Sequence, residues 1–124
     1  MGDMAPYERL RAWKHSHQVV LDVYRATAIW PRHELYGLTI QARRAAFSIA
    51  ANIAEGAAKR GAREFRRFLD IAIGSSSELS YTLRVALDLG MLSRKDWEKL
   101  EAERNAAGKQ LWRLYESVGN KAKA

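Results

Sequence analysis

The stretch 40-IQARRAAFSIAANIAEG-56 decides how this chain folds. It is built almost wholly from small and aliphatic residues, yet it carries Arg43 and Arg44 side by side. At about 100° per residue, Leu35, Leu38, Ala42, Ala45, Ala46, Ile49, Ile53 and Gly56 fall on one narrow stripe of a helix. The small side chains of that stripe let a neighbouring helix come close. A second row, Ile40, Arg44, Phe47, Ala51, Ala54 and Ala58, points the opposite way, at coiled-coil-like spacings of three and four. A helix that is apolar on two sides must bury both, and its own bundle can shelter only one.

Working outward, only Pro6 and Pro31 occur and apolar residues recur at helical spacing throughout, which predicts an all-α chain. A first helix is expected from about Tyr7 to Ile29, stopped before Pro31, with Leu10, Trp13, His17, Val20, Leu21, Tyr24 and Ala28 inward. The second runs from about Glu34 to Ala58. A third starts after Gly61, with Glu64 placed as in a capping box, and turns Phe65, Phe68, Leu69, Ala72, Ser76, Leu79, Leu83 and Ala86 inward. Gly90 caps its end. The fourth opens on Ser93-Arg94-Lys95-Asp96, a hydroxyl cap followed by a carboxylate, and its stripe is Trp97, Leu100, Arg104, Ala107, Leu111, Leu114, Tyr115 and Val118. Short connections then predict an antiparallel up-down-up-down four-helix bundle over residues 7–118, with frayed tails at 1–6 and 119–124.

The 124 residues are one domain's worth, and 48% hydrophobic against 28% charged is ordinary for a folded protein. No window approaches the roughly 18 apolar residues of a bilayer span, and no signal-peptide layout opens the chain, so a cytoplasmic location without membrane contact is expected. The absence of cysteine excludes disulfides and thiolate zinc sites.

The third helix carries its own outer row, Gly74, Ser77, Tyr81 and Val85. Together with Ile40, Arg44, Phe47, Ala51 and Ala54 this predicts a homo-oligomer in which the outer faces of the second and third helices meet a neighbouring subunit. The formal charge of +7 is the kind of imbalance seen in proteins that meet polyanions. It is densest in 59-KRGAREFRR-67. Arg63, Arg66 and Arg67 lie opposite the core stripe as candidate phosphate contacts, with Lys59, Arg60 and Arg84 in support. No zinc finger, helix-turn-helix or aromatic-studded sheet pattern supports base reading, so binding of RNA or DNA is expected to be largely sequence-independent. The competing function is a protein-interaction scaffold that docks an acidic partner such as a polymerase or reverse transcriptase on the same arginines.

An enzyme is not expected, nor is a cofactor or a metal. His15 and His17 diverge on a helix and cannot chelate one ion. Ser75-Ser76-Ser77 lacks the strand-to-helix context of a nucleophile elbow, and Glu101 and Glu103 point to different sides of the last helix. A small-molecule site would need His17, Asn52, Glu55 and Arg104 around one pocket. Of the tryptophans, Trp13 and Trp97 lie on core stripes, whereas Trp30 and Trp112 lie off them and are candidates for subunit or ligand contact, with packing at the core's edge the preferred reading.

The segments 13-WKHSHQVVLDVY-24, 36-YGLTIQARRAAFSIAANIAEG-56, 64-EFRRFLDIAIGSSSEL-79 and 88-DLGML-92 resemble the four-helix-bundle family encoded in intervening sequences of bacterial 23S ribosomal RNA genes. The resemblance implies a bundle that assembles into a ring, commonly a pentamer, with a basic surface. It also implies kinship with accessory proteins of diversity-generating retroelements, bundles that bind a reverse transcriptase and nucleic acid. This sequence departs from the family pattern at Ala50, where a proline is common, at Ile40 and Gly61, where serines are common, and at Ala58, where a glycine is common.

Overall fold

The computed structural model describes residues 4–123, so the expectations for Met1, Gly2, Asp3 and Ala124 lie outside it. Among the described residues there are four α-helices and no strand: α1 (Arg11–Thr27), α2 (Ile40–Ala57), α3 (Ala62–Asp88) and α4 (Arg94–Lys123). Each of α1 and α3 packs on both α2 and α4, closing a cycle around one core. Val19, Val23, Ala42, Ala46, Ile53, Leu69, Leu83 and Leu111 lie at its centre. Among the described residues no helix is long and apolar enough to cross a membrane.

The first helix is shorter than its sequence pattern suggested. A 3-10 turn at Pro6–Arg9 is separated from α1 by extended backbone at Leu10 (φ −82°, ψ 127°). Its inward face is also rotated from the expected one, because Ala12, Ser16, Val19, Val20, Val23 and Thr27 are the buried residues. His17, Tyr24 and Ala28, expected inside, are exposed. Small residues take the inner line where helices approach, and the bulky aromatics flank it.

Before α2 the chain makes a 3-10 turn (Arg32–Glu34) and a wide π-type turn (Leu35–Thr39) rather than the regular helix expected from Glu34. Gly37 is the cause: its φ −110° and ψ −114° are not helical, and a Cβ there would collide with the Glu34 carboxylate. That carboxylate instead accepts the Leu38 N–H at 3.3 Å. Leu35 is consequently exposed, and Leu38 packs at the core's edge.

From Ile40 to Ala57 the helix is regular, and its buried face is Ala42, Ala45, Ala46, Ile49, Ala50, Ile53 and Gly56. Ala50, which keeps the backbone N–H that a proline lacks, allows this uninterrupted course. Gly90, at φ 74°, ends α3, and the Ser93 hydroxyl accepts the Asp96 N–H at 3.1 Å to start α4. That last helix continues to Lys123, past the expected end at Val118, and Gly119 within it is buried.

The small-residue face brings α2 against the start of α3. A Cβ placed on Gly56 would lie 2.8 Å from Phe68 Cβ and 2.9 Å from Phe65 Cδ1, closer than side chains tolerate. Gly56→Ala is therefore expected to destabilise the fold by about 1–3 kcal/mol, although alanine is the better helix former. Gly74→Ala and Gly108→Ala, where a Cβ meets open space, should each stabilise by about 0.5–1 kcal/mol. Urea unfolding of the three variants checks the contrast.

Candidate nucleic-acid interface

Gly61, at φ 85°, adopts a backbone conformation that residues with a side chain rarely reach, and it turns the chain into α3. Its carbonyl accepts the Phe65 N–H at 3.3 Å. Glu64 does not complete the expected capping box: it accepts Arg67 Nε at 2.8 Å instead. Glycine at the cap position has no hydroxyl with which to reciprocate.

Arg67 lies over the Phe68 ring at 4.6 Å, and Lys59 Nζ is 5.3 Å from the same ring. Arg66 lies on Tyr115 of α4, with Cζ 4.1 Å from the ring centroid. There its Nε is buried without a hydrogen-bond partner. Gly119 makes room for this guanidinium, since a Cβ at that position would sit 2.9 Å from Nε. Arg60 and Arg63 are exposed, and neither has a carboxylate within ion-pair distance among the described residues. Arg60, Arg63, Arg66, Arg67 and Tyr115, with the carboxylates of Glu64 and Asp70, border a shallow groove of about 540 Å³.

Five of the six basic candidates thus gather where α2 ends and α3 begins. Arg84 does not join them. It is 18 positions beyond Arg66 on α3, roughly 27 Å at 1.5 Å per residue. It pairs with Asp88 at 3.1 Å and borders a separate groove with Tyr81, Trp97, Glu101 and Arg104.

On the outer row of α2, Phe47 is 59% exposed and Arg44 is exposed, while Ile40, Ala51 and Ala54 are half-buried. On α3, Gly74, Ser77 and Tyr81 are exposed, Tyr81 to 72%, and Val85 is half-buried. Ile40 and Arg44 border a groove with Tyr24, Tyr36 and Arg43 on the α1 side of α2, whereas Ser77 and Tyr81 border the α3/α4 groove. Arg43, next to Arg44 in sequence, turns toward α1, donating to Thr27 Oγ1 at 2.8 Å and lying over the Tyr24 ring.

His17, Asn52, Glu55 and Arg104 occupy four different settings. His17 stacks on Trp13 at 4.8 Å on the exterior, and Asn52 donates to the Ser48 carbonyl at 2.8 Å. Glu55 is exposed. Arg104 forks onto Glu101 at 2.8 and 3.1 Å and reaches Ser76 of α3 at 3.1 Å. Ser80 also donates to Glu101, at 3.1 Å. Among the described residues no three His, Asp or Glu side chains are grouped to hold a metal. Trp30 is buried and belongs to the core cluster, as its preferred reading of packing at the core expected. Trp112 is exposed and stacks on Tyr115 at 5.4 Å.

A carboxyl pair that helical spacing did not reveal joins α1 to α4. Glu103 is pushed up to about 7 by burial and then by a hydrogen bond to its neighbour Asp22, which the carboxyl donates only in its protonated form. That hydrogen bond holds Asp22 below its ordinary value. The two lie 81 positions apart in sequence (103 minus 22), so no local pattern links them.

Four helices packed in a cycle around an alanine-rich core define an all-helical bundle protein. Residues 8–113 match the family of 23S rRNA-intervening sequence proteins, and the chain belongs to that family. A solved structure of similar fold is a protein of unknown function from the S23 ribosomal protein family of Bacteroides thetaiotaomicron. It aligns with a TM-score of 0.75 at 20% identity, covering 84% of this chain and 97% of that one. No curated protein matches.

The carboxyl pair makes stability depend on pH. Glu103 has its folded pKa raised from 4.5 to about 7, so the unfolded chain releases this proton first. Stability from this group is therefore present below pH 4.5 and is lost as pH rises toward 7. Asp22, lowered from 3.8, has its effect only in stronger acid. Glu103→Gln, which keeps a hydrogen-bond donor without the charge, should raise the unfolding midpoint at pH 8 more than at pH 5. Thermal denaturation of both proteins at the two pH values measures the difference.

Proposed function

We propose that this protein is a non-catalytic, ring-like homo-oligomer of antiparallel up-down-up-down four-helix bundles whose basic surface holds RNA or DNA by its phosphates. The observation that carries the reading is the grouping of exposed, carboxylate-free Arg60 and Arg63 beside Arg66 around one groove. Arginine forks onto phosphate, and the free N–H groups at the start of α3 favour an anion in the same place. Nothing there presents a patterned set of donors and acceptors to a base pair, so binding is sequence-independent. A cytoplasmic setting and kinship with accessory proteins of diversity-generating retroelements belong to the same proposal.

Antiparallel neighbours are supported by the order of contacts between α3 and α4: Ser80 with Glu101, Ser76 with Arg104, and Arg66 with Tyr115. Assembly is supported by the apolar side chains left outside the core. Ile40 borders one groove and Tyr81 another, and Phe47 stands exposed on the outer row of α2. Two unlike surfaces suit head-to-tail contact, which closes into a ring when the rotation permits.

Binding to unrelated RNA and DNA should weaken steeply with salt. Arg60→Ala/Arg63→Ala should flatten that dependence by about 0.7–0.9 in log–log slope for each phosphate that is no longer neutralised. A titration by fluorescence anisotropy tests this. No affinity at low ionic strength would remove the nucleic-acid reading and leave the arginines to an acidic protein partner.

Light scattering at tens of micromolar should give a multiple of the 14.1 kDa chain mass. Phe47→Glu should reduce that mass while helical circular dichroism is retained. A monomeric wild type would overturn the assembly.

A further inference from the structure

We infer that the groove at the start of α3, bordered by Arg60, Arg63 and Tyr115, takes single-stranded nucleic acid, with an unpaired base stacked on nearby Trp112 and its flanking phosphates on Arg60 and Arg63. The inference rests on the phosphate-binding reading above and specifies the class of strand. Trp112 is 52% exposed and lies one turn before Tyr115 on α4, with which it stacks at 5.4 Å and an interplanar angle of 28°. Tyr115 in turn carries the Arg66 guanidinium. An open indole therefore adjoins a row of flat groups that ends in the arginine cluster.

Basic grooves with stacking aromatics suit single strands, because every unpaired base offers a flat face and the backbone follows the cations. A duplex buries its base faces against one another and offers Trp112 only sugar and phosphate. Asp70 sharpens the distinction. Its exposed carboxylate borders the groove without an ion-pair partner among the described residues and repels phosphate, whereas the groove's other acid, Glu64, is paired with Arg67 at 2.8 Å. The backbone accordingly keeps to the side of Arg60 and Arg63, and bases lie toward Asp70 and Trp112. One turn earlier on the same helix, Gly108 has open space where its side chain would be.

The test is fluorescence anisotropy with dye-labelled oligothymidylate, oligouridylate and a mixed-sequence duplex of equal length, on the full chain. Trp112→Ala should weaken both single strands roughly 5- to 100-fold and change duplex binding by less than about twofold. Unchanged duplex binding also shows that the variant is folded. Trp112→Phe should restore most single-strand affinity, yet lose the quenching of tryptophan fluorescence that the strand produces in the wild type. Single-strand affinity unchanged in Trp112→Ala overturns the inference, and if Arg60→Ala/Arg63→Ala still abolishes binding, phosphate recognition survives without it. A wild type that binds neither strand nor duplex overturns both.

Discussion

The contact between the alanine face of α2 and the start of α3 fixes where everything else goes. Interaxial distance depends on the side chains between two helices, and Gly56, pressed against Phe65 and Phe68, sets that distance at its small end. Holding the end of α2 this close leaves few residues for the reversal, and Gly61 makes the turn with a positive φ. The arginines that follow are consequently delivered to a defined place beside the last turns of α4. There Gly119 leaves room for Arg66 to lie on Tyr115.

A core made largely of alanine faces packs closely but says little about register, because small side chains slide past one another with little penalty. Each of the four seams carries a polar contact that is not interchangeable with its neighbours. Arg43 reaches Thr27 between α1 and α2, and Ser48 meets Ser75 at 2.7 Å between α2 and α3. Arg104 and Glu101 engage Ser76 and Ser80 between α3 and α4, and Asp22 shares a proton with Glu103 between α1 and α4. The Arg104 and Glu101 side chains are only 14% and 16% exposed, so removing one would strand the other's charge. The paired arginines of the second helix have different tasks for the same reason: one residue apart means about 100° apart. Arg43 therefore bonds to α1, while Arg44 stays outside.

Much of this was legible in the sequence wherever a helix buries one clear stripe. The inner faces of α3 and α4, and most of that of α2, follow from spacing alone, as do the Ser93 cap and the stop at Gly90. In α1 the pattern misled because it was weighted by size. Trp13, His17 and Tyr24 look like a core row, but Ala12 and Ser16 occupy the line of closest approach. The late start of α2 depended on one glycine, which a helical pattern tolerates on paper. In the site, Lys59 to Arg67 are neighbours in sequence and were legible as a cluster. Tyr115, Trp112 and the Asp22–Glu103 pair were not, because they depend on which turn of one helix meets which turn of another.

The placement of the free cations is hard to explain by stability. Several exposed arginines elsewhere find carboxylates three or four residues away: Arg25 with Asp22, Arg84 with Asp88, Arg94 with Glu98. Such local pairs damp the field where they occur. The start of α3 instead gathers Arg60, Arg63 and Arg66 without such a partner among the described residues. It is an unfavourable position, because the N-terminus of a helix is the positive end of its dipole and repels each cation by about 0.3–1 kcal/mol. The first turn of α3 does carry one acid, Glu64, but its carboxylate is taken by Arg67 and leaves Arg60 and Arg63 unpaired. Arg67 is paired with Glu64, and stacking on Tyr115 orients Arg66 without neutralising it. Repulsion left standing at one end of the molecule is relieved when an anion arrives, so the same arrangement that weakens the free protein would strengthen the proposed hold on a phosphate backbone.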